Sequence, residues 1–271
     1  MNRLRKSSLF SLENREFFST LAKISLPIVV QRLLNALLFM LDNVMVGGLG
    51  EGAVAAVGMA NKLTYLMNVF TFGIMSATSI FAGQYWGKRD IPGMRRVQGI
   101  SQVLLLAVGG FFMVIGLALP AQVMSIWSST PEVIEMGSAY LRVVAVGYLF
   151  QVTSQNYATI LKSCEMTLMP LISSIVAMAV NFVINYTLIN GHFGFPALGA
   201  TGAAIGTTAG NAVGTPAAIA AADASLQGVE AAATAPIAAA IIVTAILCPI
   251  LVSLLSKIET KRRAAKAAAG A

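Results

Sequence analysis

Apolar residues fall in long blocks along this chain. The stretches 24–46, 53–84, 97–119, 133–160, 168–190 and 198–222 are predominantly hydrophobic over roughly 20 residues or more, with short polar breaks between them. A further candidate covers 235–256. Blocks of this length cross a ~30 Å hydrocarbon core as helices, and lipid offers the backbone no hydrogen-bond partners. The predicted fold class is therefore all-α: a polytopic transmembrane helical bundle of six spans with a candidate seventh helix near the C-terminus.

Polar residues inside the blocks keep helical spacing. Gln31, Asn35 and Asp42 are separated by four and seven positions, so at about 100° per residue they share one narrow sector of the first span. Asn61, Thr64, Asn68, Thr71 and Thr78 form a stripe down the second. The block 168–190 carries Ser174, Asn181 and Asn185, and 198–222 carries Thr201, Thr208 and Asn211. Such faces avoid lipid. The economical arrangement turns them toward a common interior that is hydrated or holds a polar solute, lined by Gln31, Asn35, Asn61, Thr64, Asn68 and Ser174. The competing reading of any single Asn or Thr is hydrogen-bond glue between helices.

Composition agrees with a membrane location: 57% of the 271 residues are hydrophobic and 11% charged, against about a quarter charged in a soluble domain. The net charge of +7 does not indicate nucleic acid, because the basic residues lie between spans and at the ends instead of forming a patch. Arg3, Arg5, Lys6 and Arg15 precede the first span, Lys88, Arg89, Arg95 and Arg96 lie between the second and third, and Lys162 follows the fourth. The alternate connections, 47–52, 120–132 and 190–196, lack Lys and Arg, which predicts a cytoplasmic N-terminus in a plasma-membrane protein. Residues 1–23 read as a cytoplasmic amphipathic segment instead of a cleaved signal, 24–222 as the six-helix lobe, and 223–271 as an alanine-rich helix with a basic tail. Seven spans would carry that basic tail outside. Either 198–222 does not span, or 235–256 lies against the membrane or re-enters, or the charge rule is broken; small residues that permit close helix contact favour 198–222 as a true span.

Candidate chemistry centres on Asp42. A carboxylate in an apolar span costs roughly 3 kcal/mol even on a lenient insertion scale, so it is expected to serve a proton or a cation. Its other reading is positional, since about 7 Å of helix separates it from Gly47 and the outer interface. Arg32 and Lys62 are expected to snorkel or pair, and His192 to be solvated in an outer loop. Cys164 and Cys248 lack metal-ligand spacing and read as small core residues. No bound metal, cofactor or catalytic constellation is expected. The glycines at 47, 48, 50 and 52 make a tight hairpin, with no strand before them to form a phosphate loop.

Four stretches in order, "MLDNVMVGGLGEGAVAAVGMANKL" at 40–63, "SIFAGQYWGKRDIPGMRRVQGIS" at 79–101, "PEVIEMGSAYLRVVAVGYLF" at 131–150 and "NFVINYTLINGHFGFPALGATGAAIGT" at 181–207, resemble bacterial multidrug and toxic compound extrusion transporters. The resemblance covers approximately 15–210 and corresponds to the family's N-terminal lobe. It implies two six-helix lobes about a pseudo-twofold axis, exporting organic cations in exchange for protons or sodium. On that basis Asp42 matches the family's membrane-embedded acid, and Asn181 a polar position near the cation site. Some members carry a second acid where this chain has Asn185, so Asp42 is left to hold the charge with Asn181, Asn185 and Thr201 as neutral ligands. A basic residue often seen late in the sixth helix is replaced by Asn211.

The expected function is thus a proton- or sodium-coupled antiporter for organic cations or drugs. Its partners are the bilayer, a small organic cation and a second lobe, which a homodimer could supply; no nucleic acid is involved. The alternative is a non-transporting membrane bundle, a truncated or designed half-transporter, suggested by the unmatched alanine-rich tail. A lipid-linked flippase ranks last, because the predicted interior offers Asn, Thr and Asp instead of cations for phosphates.

Overall fold

Glycine, proline and one aspartate set the helix ends in this protein, whose computed structural model describes residues 12–225 apart from 193, 194 and 196. The described residues form α1 (Leu12–Gly47), α2 (Glu51–Gly87), α3 (Ile91–Ala118), α4 (Pro120–Ser125), α5 (Pro131–Ser163), α6 (Leu168–Asn190) and α7 (Ala200–Ser225). Between α1 and α2 the chain turns at Gly50, whose φ of 102° is open to glycine and strained for other residues. Asp90 caps α3 by accepting from the Gly93 N–H at 2.9 Å, with Pro92 in the first turn where its missing N–H costs nothing. Proline likewise opens α4 and α5. Gly191 ends α6 in the left-handed conformation, φ 75° and ψ 41°.

Each of the six predicted blocks is a helix. The block 168–190 coincides with α6, and α7 occupies the block 198–222. Two details differ from the sequence reading. α1 begins at Leu12, so residues 12–23 of the predicted amphipathic segment continue into the first span without a break. The connection 120–132 contains the short helix α4. The candidate span 235–256 and the tail lie outside the described residues, as do residues 1–11.

Among the described residues, α1 from Arg15, α2, α3, α5 and α6 are long and apolar enough to cross a membrane. Together they make a multi-pass bundle. α5 is its axis, packed against α2, α3, α4 and α7; α6 packs on α7, and α1 rests chiefly on α6. The main core runs through Met67, Leu105, Met124, Leu141, Tyr148 and Val152, all buried. Outward faces carry Phe70, Phe72, Val103, Phe111 and Val114, which suit hydrocarbon. A smaller cluster joins Ala82, Met94, Ile160 and Cys164 at the end where α5 finishes. Cys164 is buried there, as its core assignment predicted, with its sulfur 3.4 Å from that of Met94.

Small residues set the α6–α7 seam. Gly202, Gly206 and Gly210, four apart on α7, meet Leu188, Asn185 and the Ala177–Asn181 turn of α6 in antiparallel order. A Cβ at Gly202 would stand 2.7 Å from the Leu188 carbonyl, which is backbone and cannot swing aside. Close approach of this kind gives dispersion contacts where lipid removes the hydrophobic drive between helices. The alanine- and glycine-rich composition of the block 198–222 is what permits it.

Candidate functional site

Two polar contacts zip α1 to α6. Gln31 donates from Nε2 to Ser174 Oγ at 2.7 Å and to the Pro170 carbonyl at 3.1 Å. Three turns further along, the Asn185 Nδ2 donates to Asp42 Oδ1 at 2.7 Å. Both contacts join residues 143 apart, so the helices run side by side in the same direction with one register. Asp42 is half-buried and turns toward α6, where it pairs with Asn185.

The acid sits in a layered polar group. Asn185 is fully buried and donates from the same Nδ2 to Asn181 Oδ1 at 2.9 Å; Asn181 is buried as well. From α5, the buried Tyr140 reaches in: its hydroxyl donates to Asn61 Oδ1 at 3.4 Å and stands within electrostatic range of Asp42, near Thr207 of α7, whose own hydroxyl donates to the Ala203 carbonyl at 3.1 Å. Five helices, α1, α2, α5, α6 and α7, thus contribute to one locus. It offers a single carboxylate, carboxamides that can donate or accept, and two hydroxyls. Chemically, such a group can neutralise one positive charge, a proton or a small cation, inside an apolar bundle.

The remaining candidates take other places. Gln31 and Ser174 pair with each other at the far end of the α1–α6 seam. Thr64 shares a 2.9 Å hydrogen bond with Tyr148. Asn68 Oδ1 accepts from Gln151 at 3.3 Å and Gln155 at 3.4 Å, so both α2 residues face α5. Thr201 is buried in the first turn of α7, beside the Gly202 contact with Leu188 and about one turn from the level of Asn185. Asn35 is exposed on α1. The same offset of 143 falls on Met178 of α6, whose thioether is at most a weak acceptor for a carboxamide's donors.

Tyr140, Thr207 and Gly206 were not singled out from the sequence. A tyrosine in an apolar span needs a partner for its hydroxyl, which was the available signal. The neighbouring Thr208 is glue, donating to the Val143 carbonyl at 3.2 Å. Lys62 pairs as expected, 5.7 Å above the Trp127 ring, and Arg32 is exposed. His192 is exposed too, stacked on Tyr186 with centroids 4.4 Å apart.

Comparison with known proteins places this geometry. The MatE family profile matches residues 27–187, more than half the chain and inclusive of Asp42, Asn181 and Asn185. A profile for 2-keto-3-deoxygluconate permease matches 153–261, a shorter region that runs beyond the described residues. Probable multidrug resistance protein YoeA of Bacillus subtilis is 29% identical over 182 residues, covering 67% of this chain and 39% of that protein. Probable multidrug resistance protein NorM of Synechocystis sp. is 33% identical over 201 residues, covering 71% and 41%. The chain thus spans about two fifths of the length of these curated relatives. An outward-facing multidrug resistance MATE family transporter of the MOP superfamily superposes with a TM-score of 0.66 at 22% identity, over 72% of this chain and 43% of that one. The inward-facing form of a MATE family transporter gives 0.61 at 22% identity, over 73% and 44%. By its matched length, its helix order and the residues it shares, the chain belongs to the multidrug and toxic compound extrusion (MatE) family.

Proposed function

We propose that this chain is one lobe of a multidrug efflux antiporter, which exchanges an organic cation for a proton or a sodium ion at Asp42. The observation that carries the reading is the contact between Asp42 and Asn185, a carboxylate turned inward and answered by a neutral amide, with no cationic residue in the polar group around it. A proton or sodium ion supplies the missing positive charge. Binding it changes what Asp42 demands of α6 and, through Tyr140 and Thr207, of α5 and α7, so a charge event biases helix packing. In this arrangement Asn181 Oδ1 is the neutral oxygen nearest the acid's donor, Asn185 holds the acid through its amide nitrogen, and Thr201 lies about one turn away.

A lobe of this kind needs an opposing wall to enclose a drug-sized cation. α1 is the element left open for it, since it rests mainly on α6 and exposes Leu33, Leu37, Phe39, Met40 and Val44. The second lobe comes from a further copy of the chain or from the rest of a longer polypeptide. The basic residues Lys88, Arg89, Arg95, Arg96 and Lys162 support a cytoplasmic position for their end of the bundle, with the N-terminus, in the plasma membrane.

The test is efflux of a fluorescent organic cation from vesicles with an imposed proton or sodium gradient. Asp42→Asn should abolish gradient-driven efflux while the protein inserts and purifies as before. Efflux unchanged by Asp42→Asn sinks the reading. Mass in detergent accompanies it: a strict monomer without efflux favours the non-transporting bundle.

A further inference from the structure

The two ends of the Asn185 carboxamide are treated very differently. Its nitrogen is doubly used, on Asp42 Oδ1 and Asn181 Oδ1. Its oxygen is buried and has no hydrogen-bond partner. Such an orphaned acceptor is costly, so something must hold the amide this way round.

Gly206 of α7 occupies the other side. A Cβ built on Gly206 collides with the Asn185 oxygen, lies 2.8 Å from Asn185 Cγ, and stands 3.2 Å from the Asn181 carbonyl oxygen. The Asn185 oxygen therefore sits where any side chain at 206 would be. Reversing the amide would turn that oxygen onto the Asp42 carboxylate and Asn181 Oδ1, two acceptors that need the donor. The charge on the carboxylate makes that donor the stronger bond and fixes the nitrogen toward Asp42. The orphaned oxygen is tolerated because residue 206 has no side chain. Gly202 and Gly210 on the same seam differ, meeting mainly the backbone of α6.

We propose that Gly206 is a positioning residue of the Asp42 site. Its bare Cα seats the Asn185 carboxamide so that the amide nitrogen is delivered to Asp42. α7 thereby shares control of the acid without touching it, and a shift of α7 at this level releases or reorients the acid's donor. The proposal deepens the reading of Asp42 as the coupling group and rests on it for its consequence in transport.

The full chain, labelled with 15N-asparagine and held in lipid nanodiscs, reports the side-chain amide signals directly. The Asn185 signal is the one lost in Asn185→Asp. Gly206→Ala should displace it, as Asp42→Asn does, leave the Asn156 signal in place, and lower gradient-driven efflux at least about tenfold. Should Gly206→Ala fail to fold, Asn185→Ala added to it clears the collision and should restore a monodisperse, folded protein. An unmoved Asn185 signal in folded Gly206→Ala overturns the proposal, as does equal movement of Asn156 or a double variant that stays unfolded. If instead Asp42→Asn leaves efflux unchanged while Asn185 still responds to Gly206→Ala, the transport reading falls and the positioning role stands.

Discussion

Asp42 and Asn185, 143 positions apart in the chain, share a 2.7 Å hydrogen bond between parallel helices. Gln31 and Ser174 repeat that offset eleven residues earlier on each helix. Eleven residues at about 100° make three turns plus about 20°, so two helices with matching polar stripes meet at both places without supercoiling far. The lobe's least embedded helix, α1, is held to α6 by this register.

Asn185→Leu tests what the amide does for the acid. The variant keeps the branched shape of the side chain, with somewhat greater bulk, and leaves Asp42 and Asn181 without their shared donor, a cost of about 1–3 kcal/mol for a stranded polar group. A lowered thermal midpoint together with lost efflux is expected. Full efflux from this variant would contradict the assignment of Asn185 to the ion site.

Tyr140→Phe removes one hydroxyl and keeps the buried ring. The hydrogen bond to Asn61 goes with it, a loss of about 0.6 kcal/mol by the average for bonds between membrane helices. Unfolding should change little and efflux substantially, because the hydroxyl connects α5 to the Asp42 group. Equal small effects on both measurements would reduce Tyr140 to glue.

Asn156→Leu is the converse. Asn156 is fully buried between α3 and α5, accepts from Ser101 Oγ and donates to Gln102 Oε1, each at 2.9 Å, in a network with no charged member. The variant should lower the thermal midpoint by the equivalent of about 1–3 kcal/mol. Folded protein should still export at the original rate. A selective loss of efflux would make this network part of the mechanism.

Cys164 should be slow to alkylate. It caps α5, is buried, and burial with Glu165 nearby pushes its thiol up to about 11, so little thiolate exists at neutral pH. In a Cys248→Ser background at pH 7, maleimide labelling should follow unfolding on heating. Rapid labelling of the folded protein would show that this end of the bundle opens.

Much of this protein could be read from one dimension. A helix satisfies its own backbone in lipid, so each apolar block had one available form, and α2, α3, α5, α6 and α7 lie where the blocks predicted. Asp42 was legible because a charge in an apolar run is expensive wherever it points. Asn181 and Asn185 were legible through their spacing on one face.

Tertiary structure decided which faces meet. Asn35 shares the stripe of Gln31 and Asp42, yet only those two meet polar partners on α6, and nothing local to α1 distinguishes the three. Tyr140, Thr207 and Gly206 are unremarkable in sequence, since a hydroxyl or a glycine in an apolar helix has many uses. Their importance comes from the register in which α5 and α7 pack around Asn185. A strong desolvation cost can be read from one residue, whereas the partner that offsets it depends on the packing of several helices at once.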